Sequence, residues 1–310
     1  MAEAARLIHT GNVVIDLMLR VPGLPARGGD VLAGQAEAEV GGGFNVMAAA
    51  ARQGMPVVYA GELGTGPWGE RARAALVAEG IGWVGSALDG VDTGYVMVLV
   101  EPDGERTFVT VPGAEAQLRS QSLVAAAPRP GDWVYVSGYS LTHAPNRAAL
   151  LEWLPGLDPA VTVVFDPGPL VGELDSEALA AVLSATDWLT VNQAEAMALV
   201  GAKAIEVPDS YDPAWVVPGG GAGRGRQAGL VIRRGAAGCV VKGAGRGGLI
   251  PGYPATVVDT TGAGDAHTGV FVAGLASGLA PLAAGDRANR AAAIAIGRFG
   301  PATAPTAAEL

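Results

Sequence analysis

Short apolar runs rich in β-branched residues alternate along the chain with alanine-rich stretches at helical spacing. Residues 13–15, 56–60, 133–137, 161–166, 188–191 and 230–233 read as strands, with helices over 69–79, 147–154, 177–184 and 194–200 between them. This alternation predicts βαβ units, and so an α/β fold whose mostly parallel central sheet is covered by helices on both faces. Val161-Thr-Val-Val-Phe165 is apolar at nearly every position, as a strand buried on both sides requires. One region departs from the rhythm. Residues 95–101 and 106–111 read as strands joined by Pro102-Asp103-Gly104, a turn sequence suited to an antiparallel hairpin. With 33–40 they are expected to form a small β lid over one end of the main sheet, within a single domain spanning 1–310.

The longest uncharged stretch, 266–285, is long enough to span a membrane, but it carries His267, Thr268, Ser277 and Pro281 and reads as a helix buried in protein. The Gly-rich stretch 217–229, which holds two arginines, reads as a surface loop. Half of all residues are hydrophobic and 16% are charged, a composition that excludes a disordered chain. Twenty basic residues face thirty acidic ones, net charge −10, and no basic tract exceeds two residues. Neither nucleic acid nor an anionic membrane surface is therefore expected as a partner. A single cysteine, Cys239, and a start without the layout of a signal peptide point to the cytoplasm.

Chemistry concentrates in a few places. Val257-Val-Asp-Thr-Thr-Gly-Ala-Gly-Asp265 is a Gly-rich turn running into a helix, where free backbone amides and the helix dipole attract anions. Asp265, in the first turn, serves equally as a helix cap or as a general base beside a bound phosphate. Gly41-Gly42-Gly43-Phe-Asn45 is a second glycine turn before a helix, and Gly11-Asn12-Val-Val-Ile-Asp16 places a carboxylate at what reads as a strand end, where it is either a turn residue or a ligand for hydroxyls. Asn192 and Glu195 have the spacing of a capping box. Gly64-Thr-Gly-Pro-Trp-Gly69 imitates a dinucleotide fingerprint, and so an oxidoreductase, although Pro67 removes an amide that a pyrophosphate would use. P-loop, zinc-hydrolase and serine-hydrolase signatures do not occur. His267, two residues after Asp265, reads as helix packing or as a substrate neighbour.

Asp259-Thr-Thr-Gly-Ala-Gly-Asp265 resembles the D-T-x-G-A-G-D signature of ribokinase-like (PfkB) sugar and nucleoside kinases at every fixed position. The glycines before Asn45 resemble that family's N-terminal motif, with Val40 where its first glycine stands, and Asn192-Gln-Ala-Glu195 resembles its N-x-x-E motif. Gly138-Tyr139 and Asp166-Pro-Gly168 extend the likeness, which runs over most of the chain. The resemblance implies ATP-dependent phosphorylation of a hydroxymethyl group on a small sugar or nucleoside. It makes Asp265 the base and Gly262, Ala263 and Gly264 the anion hole. It assigns Asp16, Asn12, Gly41, Gly42, Gly43 and Asn45 to the acceptor, and Asn192, Glu195, Arg234, Gly235, Gly238 and Asn289 to ATP and Mg²⁺. Adenine is placed beside a helix over 289–298. Where such enzymes use K⁺, the matching positions are Asp259, Thr261, Ala295, Arg298, Gly300 and Thr303. A homodimer joined through the lid is expected, and a sugar-binding regulator without catalysis is the alternative on the same fold.

Overall fold

The computed structural model describes residues 4–103, 105–200, 228–243 and 246–310. Gly104 of the hairpin turn and most of the Gly-rich 217–229 stretch lie outside them. Nine strands form the central sheet in the spatial order Arg246–Ile250, Cys239–Gly243, Gly229–Arg233, Trp188–Asn192, Thr162–Asp166, Trp133–Ser137, Leu7–His9, Val57–Tyr59 and Gly82–Trp83. The last seven run parallel, and the first two close one edge as antiparallel neighbours.

Alternation along each strand divides the core. Val134, Val136, Val163 and Phe165 pack under Leu150 and Val182 from helices Ala144–Trp153 and Ser176–Ala185 on one face. Tyr135 and Val164 face Met47 and Val272 on the other, and Val231 and Val241 face Phe271 from helix Ala263–Ala276. The result is a three-layer α/β/α body.

Two sequence expectations are corrected. Val13–Ile15 is not a central strand. It opens Val13–Arg20, which pairs with Gln35–Gly42 and Tyr95–Val100, and with Arg106–Val111 completes a separate four-stranded sheet. The central strand before it is the three-residue Leu7–His9. Asp16 therefore lies inside a strand, not at its end. The uncharged 266–285 stretch is two helices, Ala263–Ala276 and Pro281–Ala295, because Gly278 adopts a left-handed φ of 92° and Pro281 starts the next helix. Among the described residues no helix is long and apolar enough to cross a membrane.

Candidate active site

Five parallel strands end at one place. His9, Ser137, Asp166, Asn192 and Arg233 are the last residues of their strands, and all five line a cavity of about 640 Å³. Open parallel sheets bind ligands at this carboxyl edge. Helix Ala263–Ala276 aims its N-terminus into the cavity, with Gly262, Ala263, Gly264 and Asp265 on the lining. Gly262 has a left-handed φ of 71°, which turns the chain sharply into the helix. The helical ladder begins with Ala266 N–H on Gly262 O at 2.8 Å, so the amides of Gly264 and Asp265 stand ahead of it.

A second helix, Gly43–Arg52, starts at the same point. Gly43 and Gly42 line the cavity, and Asn45 Nδ2 donates to Asp265 Oδ2 at 2.9 Å. The glycines are sterically required: a Cβ on Gly41 would overlap the Asp16 carboxylate, and one on Gly43 would overlap His9. Burial pushes Asp265 up to about 6, the Asn45 bond and Arg233 pulling against it while Asp166 and Glu195 reinforce it. Burial, and then the charge of Asp265, push Asp16 up to about 7. His9 and His267 are held near 3 by burial and stay neutral.

At the other side of the cavity, Arg233 Nη1 donates to Asp166 Oδ2 and to Thr268 Oγ1, both at 2.8 Å, and Nη2 lies 3.4 Å from Glu195 Oε2. Its guanidinium lies beside Gly264. Burial opposes the charge, but Asp166 and Glu195 more than restore it. Asn192 and Glu195 form the full capping box of helix Gln193–Leu199 while both still line the cavity. Among the described residues, three carboxylates, Asp166, Glu195 and Asp265, thus share the cavity lining with the guanidinium of Arg233. That excess of negative charge suits a divalent cation held mainly by phosphates and water, and among the described residues no cluster would cage a metal directly.

Several expected residues fall elsewhere. Arg234 does not line the cavity, and its neighbour Arg233, which the sequence reading passed over, does. Gly235, Gly238, Asn289 and Asn12 line it; Asp16, Gly41 and Asn45 are not on its lining, but the part-exposed Asp16 carboxylate lies against Gly41, and Asn45 bonds the lining residue Asp265. Asn289 also bridges Ile250 O, Pro251 O and His267 Nε2, and His267 both packs against Phe271 and lines the cavity. The helix expected over 289–298 is the end of Pro281–Ala295, where Ala292 and Ala293 with Ile296, Tyr253, Ala255 and Val257 form an apolar slot. Of the six residues expected around K⁺, none lines the cavity. They gather behind it, with Asp259 bonded to Thr261 and Gly300, and Thr303 to Ala295 and Arg298. The imitation dinucleotide loop is already filled: Asp92 accepts the amides of Trp68 at 3.1 Å and Gly69 at 2.8 Å.

Residues 4–307 match the profile of the pfkB family carbohydrate kinases. The chain belongs to this family. It is 35% identical over 306 residues to an uncharacterized sugar kinase of Escherichia coli strain K12, covering 97% of this chain and 91% of that one. An ATP-dependent ribose-1-phosphate kinase of Halopiger xanaduensis is 28% identical, covering 97% and 95%. The ribokinase of Cryptococcus neoformans var. grubii, solved with ADP, superposes with a TM-score of 0.77 at 25% identity, over 99% of this chain and 98% of that one. This pfkB kinase is accordingly a phosphotransferase with a hydroxyl acceptor, and membership implies ATP and a divalent metal.

Proposed function

We propose that the protein transfers the γ-phosphoryl group of ATP to a hydroxymethyl group of a small sugar or nucleoside, with Asp265 as general base. The observation that carries this reading is the position of Asp265: at the mouth of a helix N-terminus, bonded to Asn45 of the second helix, and with a carboxyl near 6 that is ionised at neutral pH yet basic enough to take a proton. Asp265 removes the hydroxyl proton as the oxygen attacks. The amides of Gly264 and Asp265, at the end of the Gly262–Gly264 turn, meet the charge that develops on the transferred group.

Donor and acceptor occupy opposite ends. The apolar slot at Ala292, Ala293 and Ile296 takes the adenine, and Arg233 faces the phosphates. Asn192, Glu195 and Asp166 would hold a divalent cation such as Mg²⁺ through its water shell, and the cation would supply neutralisation of phosphate charge. Asp16 and Asn12 hold acceptor hydroxyls; Asn12 Oδ1 is buried without a hydrogen-bond partner in the protein, as an atom awaiting a hydroxyl would be. The four-stranded sheet acts as lid over the acceptor and as the contact between two copies in a homodimer. Screening ribose, fructose, other hexoses, their phosphates and nucleosides for ATP-dependent product by mass spectrometry tests the reading. Phosphorylation of one class at a hydroxymethyl carbon supports it; nucleotide-independent sugar binding without product across the panel would favour the regulator instead.

A further inference from the structure

The group that the resemblance implies around K⁺ does not suit a loose cation. Asp259 Oδ1 accepts Thr261 N–H at 2.8 Å and Thr261 Oγ1 at 2.7 Å, and Oδ2 accepts Gly300 N–H at 3.0 Å. Ala295 O already accepts Arg298 N–H at 3.0 Å and Thr303 Oγ1 at 3.1 Å, and Thr303 O accepts Arg298 Nη1 at 3.1 Å. A positive charge is already there. Arg106, the first residue of Arg106–Val111, reaches from the four-stranded sheet and lays its guanidinium over the turn before the anion hole. Its Nη1 lies 3.4 Å from Asp259 Oδ1 and bonds Thr261 Oγ1, and Nη2 donates to Thr260 Oγ1 at 2.7 Å. Burial would raise the Asp259 carboxyl, but the bonds from Thr261 and Gly300 and the charge of Arg106 outweigh it and hold it below the usual range.

We infer that Arg106 supplies from within the protein the positive charge that a monovalent cation would bring to Asp259, and so is a positioning residue for the Gly262–Gly264 turn that makes this kinase independent of K⁺. A guanidinium is suited to this: always charged, and forked so that one side chain spans Asp259, Thr260 and Thr261 together. The bond also ties the anion-hole turn to the sheet that carries Asp16, so seating that sheet orders the turn. A second contact across the same cleft, Arg20 over the Phe299 ring at 4.5 Å, joins that sheet to the loop holding Gly300. Turn geometry matters because transfer is sensitive to displacements of about 1 Å, which can cost on the order of 10²-fold.

The inference rests on the kinase reading for its activity arm only. Purified full-length protein is assayed on its best acceptor at fixed ionic strength in NaCl, KCl and tetramethylammonium chloride, and Tl⁺ binding is followed separately by thallium NMR with no substrate present. Wild type should turn over within twofold in all three salts and leave the Tl⁺ signal unperturbed. Arg106→Ala, and Arg106→Gln, which keeps hydrogen bonding without charge, should slow about 10-fold or more in tetramethylammonium, recover most of the rate in KCl, and bind Tl⁺. Wild-type activation by K⁺ of severalfold, Tl⁺ binding to wild type, or variants slowed equally in every salt would each overturn it. Because the wild-type Tl⁺ measurement needs neither turnover nor a folded variant, it decides the cation question even if no acceptor is phosphorylated.

Discussion

At the scale of single residues, Asp16 shows how a site can be set against stability. The folded chain holds a proton on Asp16 up to about pH 7, whereas an unfolded aspartate releases it near 3.8. Between those values folding takes up a proton, so this residue's share of stability rises as pH falls through 7 and is lost as pH rises. Asp16→Asn should raise the Tm of the ligand-free protein by a few degrees at pH 8, corresponding to about 1–2 kcal/mol, and change it little at pH 4. The same substitution should weaken acceptor affinity; calorimetry showing unchanged acceptor binding, or a lower Tm at pH 8, contradicts the account. The carboxylate itself was visible in the sequence, but its place inside a strand was not, because Val13-Val-Ile15 has the same apolar pattern as a central strand. Arg233 escaped notice for a related reason: a charged residue closing a strand reads as a solvated end. The usable signal was positional, since the four parallel strands from Trp188–Asn192 across to Leu7–His9 also end in a cavity residue.

At the scale of elements, the site depends on two helices that start at one point and run close together. Their separation is set by Gly269 of Ala263–Ala276, where a Cβ would lie 2.5 Å from Val46 O and 2.6 Å from Ala49 Cβ of Gly43–Arg52. Gly269→Ala should therefore push the helices apart, destabilise the protein by about 1–3 kcal/mol in denaturant titrations, and lower kcat by moving Asn45 from Asp265. Unchanged stability would show that the pair has slack. The strands of the body were legible because burial on both faces writes continuous apolar runs. The break at 277–280 was not, because the apolar composition continues across it, and only Gly278 and Pro281 mark the turn.

At the scale of the whole molecule, the four-stranded sheet leaves apolar side chains exposed on both faces, Phe108 on one and Val109 and Val111 on the other, while Val98, paired with Phe108, is buried. An apolar sheet face of this kind is covered most simply by its own copy, and light scattering at micromolar concentration should give a dimer that Phe108→Asp returns to monomer. A wild-type monomer would remove the lid-to-lid contact and leave the chemistry untouched. We propose that two helix N-termini and one carboxylate at the sheet's edge make a phosphoryl-transfer site. Asp265→Asn tests it: the substitution keeps the shape and loses the base, so turnover with the best acceptor should fall about 10²–10⁴-fold while ADP affinity holds. Turnover within fivefold of wild type would contradict the account.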